Sequence, residues 1–202
     1  ADRGVLVDGE KWDAVVLATP AHAASSLVGA AWPELATRLS PFRRAPAALV
    51  YLGMPAAAVP KAADGFGFLV AQGEDLRVLG VVFESTVWPG RAPEGQILLR
   101  CIIGGARDPE ATKLSDAELV ELAQRDVGKA LDTTAKATHT SVVRWERGIA
   151  QYELGHRDQV RAAVAAGRAQ RIALAGADYR GPGVNDICAD ADVIVSELRT
   201  WS

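Results

Sequence analysis

The residues best placed to do chemistry form one run: Leu174-Ala175-Gly176-Ala177-Asp178-Tyr179-Arg180-Gly181-Pro182-Gly183-Val184-Asn185-Asp186. It joins the end of an apolar strand, Arg171 to Ala175, to a glycine-rich loop and then to a helix predicted over Val184 to Leu198. The first amides of a helix have no acceptor within it, and its N-terminus carries a partial positive charge. Such a unit can therefore hold an anion or the electron-rich edge of a ring.

Other chemistries find no support. His22, His139 and His156 are not at metal-ligand spacing, and no metal site is expected. There is no G-x-S-x-G elbow, no Walker loop and no complete G-x-G-x-x-G; Gly104-Gly105 closes a strand without a helix pattern after it. Cys101 and Cys188 each stand in an apolar stretch and read as reduced, buried thiols. A net charge of −3, with the arginines scattered, offers no phosphate-tracking stripe, so nucleic acid is excluded as a partner. No apolar run reaches the roughly 18 to 20 residues of a spanning helix, and no signal sequence opens the chain, which predicts a soluble or peripherally bound protein.

With 202 residues, 49% of them apolar, a sizeable core is expected. Val5 to Val7, the Asp8-Gly9 turn and Ala14 to Ala18 predict a hairpin followed by a fully buried strand. His22 to Leu39 predicts helix interrupted near Pro33, and Ala47 to Gly53 a strand. Phe66 to Val70, Val78 to Glu84 and Gln96 to Ile103 predict an antiparallel meander, covered on one side and either lining an apolar pocket on the other or simply buried there. Ser115-Asp116-Ala117-Glu118 is a capping box opening a helix to about Leu131, with Leu119, Ala123, Val127 and Leu131 on its buried face. Ser141 to Trp145 predicts a strand, and Asp158 to Ala166 a short helix capped by Gly167. The fold class is α+β: a mixed or antiparallel sheet with packed helices, plus partial α/β elements.

The run from Leu174 to Asp186 closely resembles the C-terminal flavin-contact motif of the protoporphyrinogen oxidase family, within the flavin amine oxidase superfamily. The resemblance continues, in the family's order, through Asp13 to Ala21, Gly65 to Val70, Leu79 to Ser85, Ile103-Gly104-Gly105, Arg144-Trp145 and Gln151-Tyr152-x-x-Gly155-His156. It implies three regions: 1–40 as the return segment of an FAD-binding domain, 41–150 as a substrate-binding domain, and 151–202 as the C-terminal FAD-domain segment. By the same resemblance Trp145, Gly183, Val184, Asn185 and Asp186 are cofactor-binding. Phe66, Gly67, Leu69, Leu79, Val82 and Ile102 line the substrate pocket, and no catalytic residue is assigned. Apolar walls suit a flat, reduced tetrapyrrole because they remove its faces from water. The chain departs from the family's pattern at Pro182, at Ile187-Cys188, which is transposed, and at Ala191, where a glycine is usual.

The resemblance implies FAD as cofactor and protoporphyrinogen IX as substrate in haem biosynthesis. The family's dinucleotide glycine motif, ribose-binding acid and basic propionate anchor belong to an N-terminal half, expected to be the missing partner of this segment. The segment alone is therefore expected to bind FAD weakly or not at all and to be inactive. A cytoplasmic location, or one on the cytoplasmic membrane face, is expected, with homodimerisation and peripheral membrane association left open. Two alternatives stand beside this reading: a coproporphyrinogen III-oxidising flavoenzyme and a non-enzymatic tetrapyrrole-binding module. An amine oxidase would need an aromatic cage at the flavin, and only Tyr179 is suggested.

Overall fold

The structure, a computed structural model, describes residues 4–59 and 64–201. The chain divides into two compact units, one made of 1–43 with 150–202 and the other of 44–149. The fold is α+β.

In the first unit a hairpin of β1 (Val5–Val7) and β2 (Glu10–Trp12) turns at Asp8-Gly9, both with positive φ. Next come β3 (Val15–Leu17), α1 (Ala21–Val28) and α2 (Pro33–Leu39), the break between the helices falling just before the proline, which sits at the start of α2. Contrary to the expectation of full burial, β3 has only one strand beside it among the described residues and its Val16 is exposed. Leu35, Leu39, Val28 and Ala24 from the two helices build the core.

The second unit is organised by β4 (Arg44–Pro55), β5 (Gly67–Leu69), β6 (Val78–Val82), the short α3 (Glu84–Val87), β7 (Gln96–Gly104), α4 (Asp116–Leu131) and β8 (His139–Ala150). The sheet order is β5-β6-β7-β4-β8, with antiparallel pairing wherever the register is resolved. β8 runs against β4 in the opposite sense, His139 lying beside Gly53 and Gly148 beside Ala47. The strands β4 and β8 are longer than the sequence suggests, and the last residues of the expected Val78 to Glu84 strand turn into α3 instead.

Cross-strand register sorts the side chains of this sheet. Val50 and Val81 flank Cys101 on one face, with Ala48, Leu52, Leu99 and Ile103, all buried with Leu119, Ala123, Val127 and Leu131 of α4. The capping box at the start of α4 is present: Glu118 N donates to Ser115 Oγ at 3.3 Å while Ser115 N donates to the Glu118 carboxylate at 2.8 Å. Asp126, fully buried on α4, accepts from the amides of Arg77 and Val78 at 2.6 and 3.0 Å and pairs with Arg125, fastening the entry of β6 to the helix. Cys101 is buried as expected, but Cys188 is exposed.

The chain then returns to the first unit through α5 (His156–Ala169), β9 (Ile172–Leu174) and α6 (Val184–Leu198). Gly167 does not cap α5 as expected. It lies inside the helix, where a Cβ would stand 2.5 Å from Ile172 O, so the glycine permits close packing of α5 on β9. β9 is fully buried and pairs in parallel with β3, Val16 opposite Ala173. Among the described residues no helix is long and apolar enough to cross a membrane.

Candidate functional site

Two surfaces gather the residues singled out from the sequence, one in each unit. In the first unit, the loop between β9 and α6 is anchored by its middle and open at its α6 end. Asp178 is buried and accepts from Ala21 N at 2.7 Å, which caps α1. Tyr179 is buried edge-on against Phe42, and its carbonyl lies 3.2 Å from His156 Nε2. Burial, followed by the charge of Asp178, drives the Tyr179 hydroxyl far above the ordinary tyrosine range. Tyr179 is therefore a neutral packing residue and not a proton donor for chemistry near neutral pH.

Before this anchor Gly176 and Ala177 are half-buried, and after it Gly181 is buried while the chain from Pro182 to Asp186 is exposed. Gly176 has a φ of +123 and nothing within 4 Å of where a Cβ would stand. Gly183, Val184, Asn185 and Asp186 are all exposed and consecutive at the start of α6. The Asp186 carboxylate folds back to accept from Gly183 N at 3.2 Å, and a Cβ on Gly181 or Gly183 would collide with it. The amides of Val184 and Asn185, in the first turn, have no acceptor within the helix. An exposed run from Pro182 to Asp186, bare of a side chain at Gly183 and carrying the unpaired amides of the first helical turn, could take the edge of a flat polar ring such as a flavin's pyrimidine. Arg180, paired with the buried Asp190, holds the loop to the side of α6.

In the second unit, the sheet face opposite α4 is the open one. Register places Gly67 beside Val82, Leu69 beside Gly80, Gly80 beside Ile102, and Ile102 beside Leu49, all on this face. Four of the expected wall residues, Gly67, Leu69, Val82 and Ile102, thus share one surface. Leu69 is 86% exposed and lies over Gly80, its Cδ2 2.8 Å from where a Cβ would be. Gly67 has a φ of +145 and faces Val81 O so closely that no side chain would fit. Phe66, 68% exposed, stands at the rim just before β5. Leu79 falls in a register shift between Val78 and Gly80, half-buried beside Gly105. Trp145 is exposed on β8.

Further along the open face, Tyr51, Gly53 and Leu98 floor a cavity of about 510 Å³, rimmed by Arg91, Gln96 and His139. Between that cavity and the apolar wall stands Arg100, opposite Val82 on one side and Tyr51 on the other. Its Nε is 2.8 Å from Oε1 of Glu84, a carboxylate that is almost completely buried at the start of α3. Neither residue stood out in the sequence, because Glu84 read as the end of a strand and Arg100 as one charge inside an apolar run. The signal was the alternation of Ile97 to Ile103, which sets position 100 on the face away from the core.

Comparison with known proteins gives the family. The family described as flavin containing amine oxidoreductase matches residues 2–186. Coproporphyrinogen III oxidase of Bacillus subtilis (strain 168) is 28% identical over 99% of this chain and 42% of its own length. The chloroplastic protoporphyrinogen oxidase 1 of Spinacia oleracea is 35% identical over 75% of this chain and 28% of its own. A crystal structure from Exiguobacterium sp. 255-15, of a protein provisionally named protoporphyrinogen oxidase, superposes with a TM-score of 0.76 at 23% identity, covering 96% of this chain and 42% of that one, and so shares the fold. The chain spans less than half the length of these proteins. The family implies a flavin, as FAD, in the full-length protein, and with the family model matching residues 2–186 the chain belongs to the flavin-containing amine oxidoreductase family.

Proposed function

We propose that the chain belongs to an FAD-dependent porphyrinogen oxidase of haem biosynthesis, which takes hydrogen from protoporphyrinogen IX and yields protoporphyrin IX. The unit of 1–43 with 150–202 serves the cofactor and the unit of 44–149 serves the substrate. FAD, when bound, supplies the hydride acceptor. Gly183, Val184, Asn185 and Asp186 border the ring edge, and the α6 N-terminus favours negative charge there. Phe66, Gly67, Leu69, Leu79, Val82 and Ile102 exclude water from one face of the macrocycle. Trp145 is assigned to the cofactor on the strength of the family motif alone.

The observation that carries this reading is the common face of Gly67, Leu69, Val82 and Ile102, because a half-exposed apolar sheet flanked by glycines offers a flat wall. Burying a leucine side chain is worth about 1.5–3 kcal/mol, or tenfold or more in affinity. Titration of the chain with protoporphyrin IX, followed by tryptophan quenching and the Soret band, tests it. Binding that Leu69→Asp weakens at least tenfold, with unchanged circular dichroism, is expected. Absence of porphyrin binding, or binding indifferent to Leu69→Asp and Val82→Asp, contradicts it. Coproporphyrinogen III is the second substrate reading, favoured by the Bacillus subtilis relative and by Arg100 on the open face.

A further inference from the structure

We propose that Arg100 is a carboxylate anchor on the open face of the sheet, holding a propionate of the tetrapyrrole that lies on Gly67, Leu69, Val82 and Ile102. The inference rests on the functional reading above and adds to it a second, polar point of recognition within the apolar wall.

An arginine in the middle of a central strand, between Leu98 and Ile102 on its own face, must be compensated. The buried Glu84 provides this, and the pairing is mutual, because Glu84 at 5% exposure needs a cation as much as Arg100 needs an anion. The pair is an ion contact at Nε, 2.8 Å from Glu84 Oε1, whose geometry falls short of a hydrogen bond. Neither Nη donates a hydrogen bond among the described residues, and neither belongs to the fully buried atoms without a partner, so both reach the surface of the open face. With its side chain 32% exposed, Arg100 presents two parallel donors on a group held near Glu84 by charge. That arrangement matches the two oxygens of a carboxylate and leaves less flexibility to lose on binding.

Position supports the same assignment. Val82 is the direct cross-strand neighbour of Arg100, and Ile102 lies two residues along β7, about 7 Å away. A macrocycle resting on those side chains brings the two-carbon arm of a propionate to the guanidinium. A tetrapyrrole with more carboxylates gains more from this anchor and from the polar rim of Arg91, Gln96 and His139 beyond it.

The test is fluorescence titration of the chain with coproporphyrin III and with its tetramethyl ester, which keeps the macrocycle and removes every negative charge. The unaltered chain is expected to bind the acid at least tenfold more tightly than the ester. Arg100→Met is expected to cost about tenfold for the acid and to leave the ester unchanged, with Arg100→Lys between the two. Equal affinity of the unaltered chain for acid and ester, or an Arg100→Met effect of the same size on both, overturns the anchor while ester binding sensitive to Leu69→Asp keeps the functional reading intact. Failure of both porphyrins to bind removes the functional reading and the anchor together. Should Arg100→Met not fold, the acid-to-ester ratio of the unaltered chain and of Arg100→Lys decides.

Discussion

Two cysteines in similar apolar surroundings meet opposite fates. Cys101 faces the core between Val50 and Val81, and burial first, then the charge of Asp126, pushes its thiol up to about 12. Cys188 lies on an exposed part of α6. Because the thiolate is the reactive form, a thiol-specific reagent at pH 8 should modify one cysteine per folded chain quickly and the second only after denaturation. Fast modification of both in the folded chain would contradict the burial of β7 beneath α4. The sequence reads both as buried, and only one reading had a pattern behind it: the strand around Cys101 alternates in a way that reveals its buried side, whereas Ile187, Cys188 and Ala189 are apolar on a helix turn that leaves Cys188 exposed. Leu79 and Val82 illustrate a related difficulty. Three positions apart on a regular strand, they would point to opposite faces; the register shift at Val78 and Gly80 changes that count and cannot be read from residue types.

Elements with strong end signals were legible, and those without them were not. The capping box fixed the start of α4, and its consequence is measurable. The Glu118 carboxyl is held below the ordinary glutamate range by hydrogen bonds from the Ser115 hydroxyl and then the Ser115 amide. A group lowered in this way stabilises the folded chain above its unfolded value and loses that contribution as pH falls through the folded one. Ser115→Ala should destabilise the chain by about 1 kcal/mol near neutral pH, and the difference from the unaltered chain should shrink on acidification, as read by urea unfolding at a series of pH values. A difference that is constant or grows toward acid would contradict the cap. By contrast β8, whose residues are mostly exposed and include Arg144, Glu146 and Arg147, shows little alternation, so only its first half was recognised. α5 was read too short because glycine is ordinarily a helix terminator, and only the tight approach to Ile172 explains Gly167 within it.

At the scale of the whole molecule, the chain runs out from one unit at Arg43 into the sheet unit and back at Ala150. The glycine loop with α6 and the meander were both visible in the sequence, as glycines at fixed places and as apolar runs between turns. What the sequence left open was whether the far side of the meander lines a pocket or is buried. Pairing across five strands answers part of that: α4 covers Val50, Leu99 and Cys101, while Leu69 stands 86% exposed on the side opposite. The proposed function requires that open side to be the tetrapyrrole wall. A porphyrin shifts the resonances of protons above its plane by its ring current, so methyl NMR of the chain titrated with protoporphyrin IX tests the claim most directly. The methyl signals of Leu69, Val82 and Ile102 are predicted to move strongly while those of Val50, Leu52 and Leu99 stay in place; movement confined to the α4 side, or none on the open side at saturating porphyrin, would contradict it.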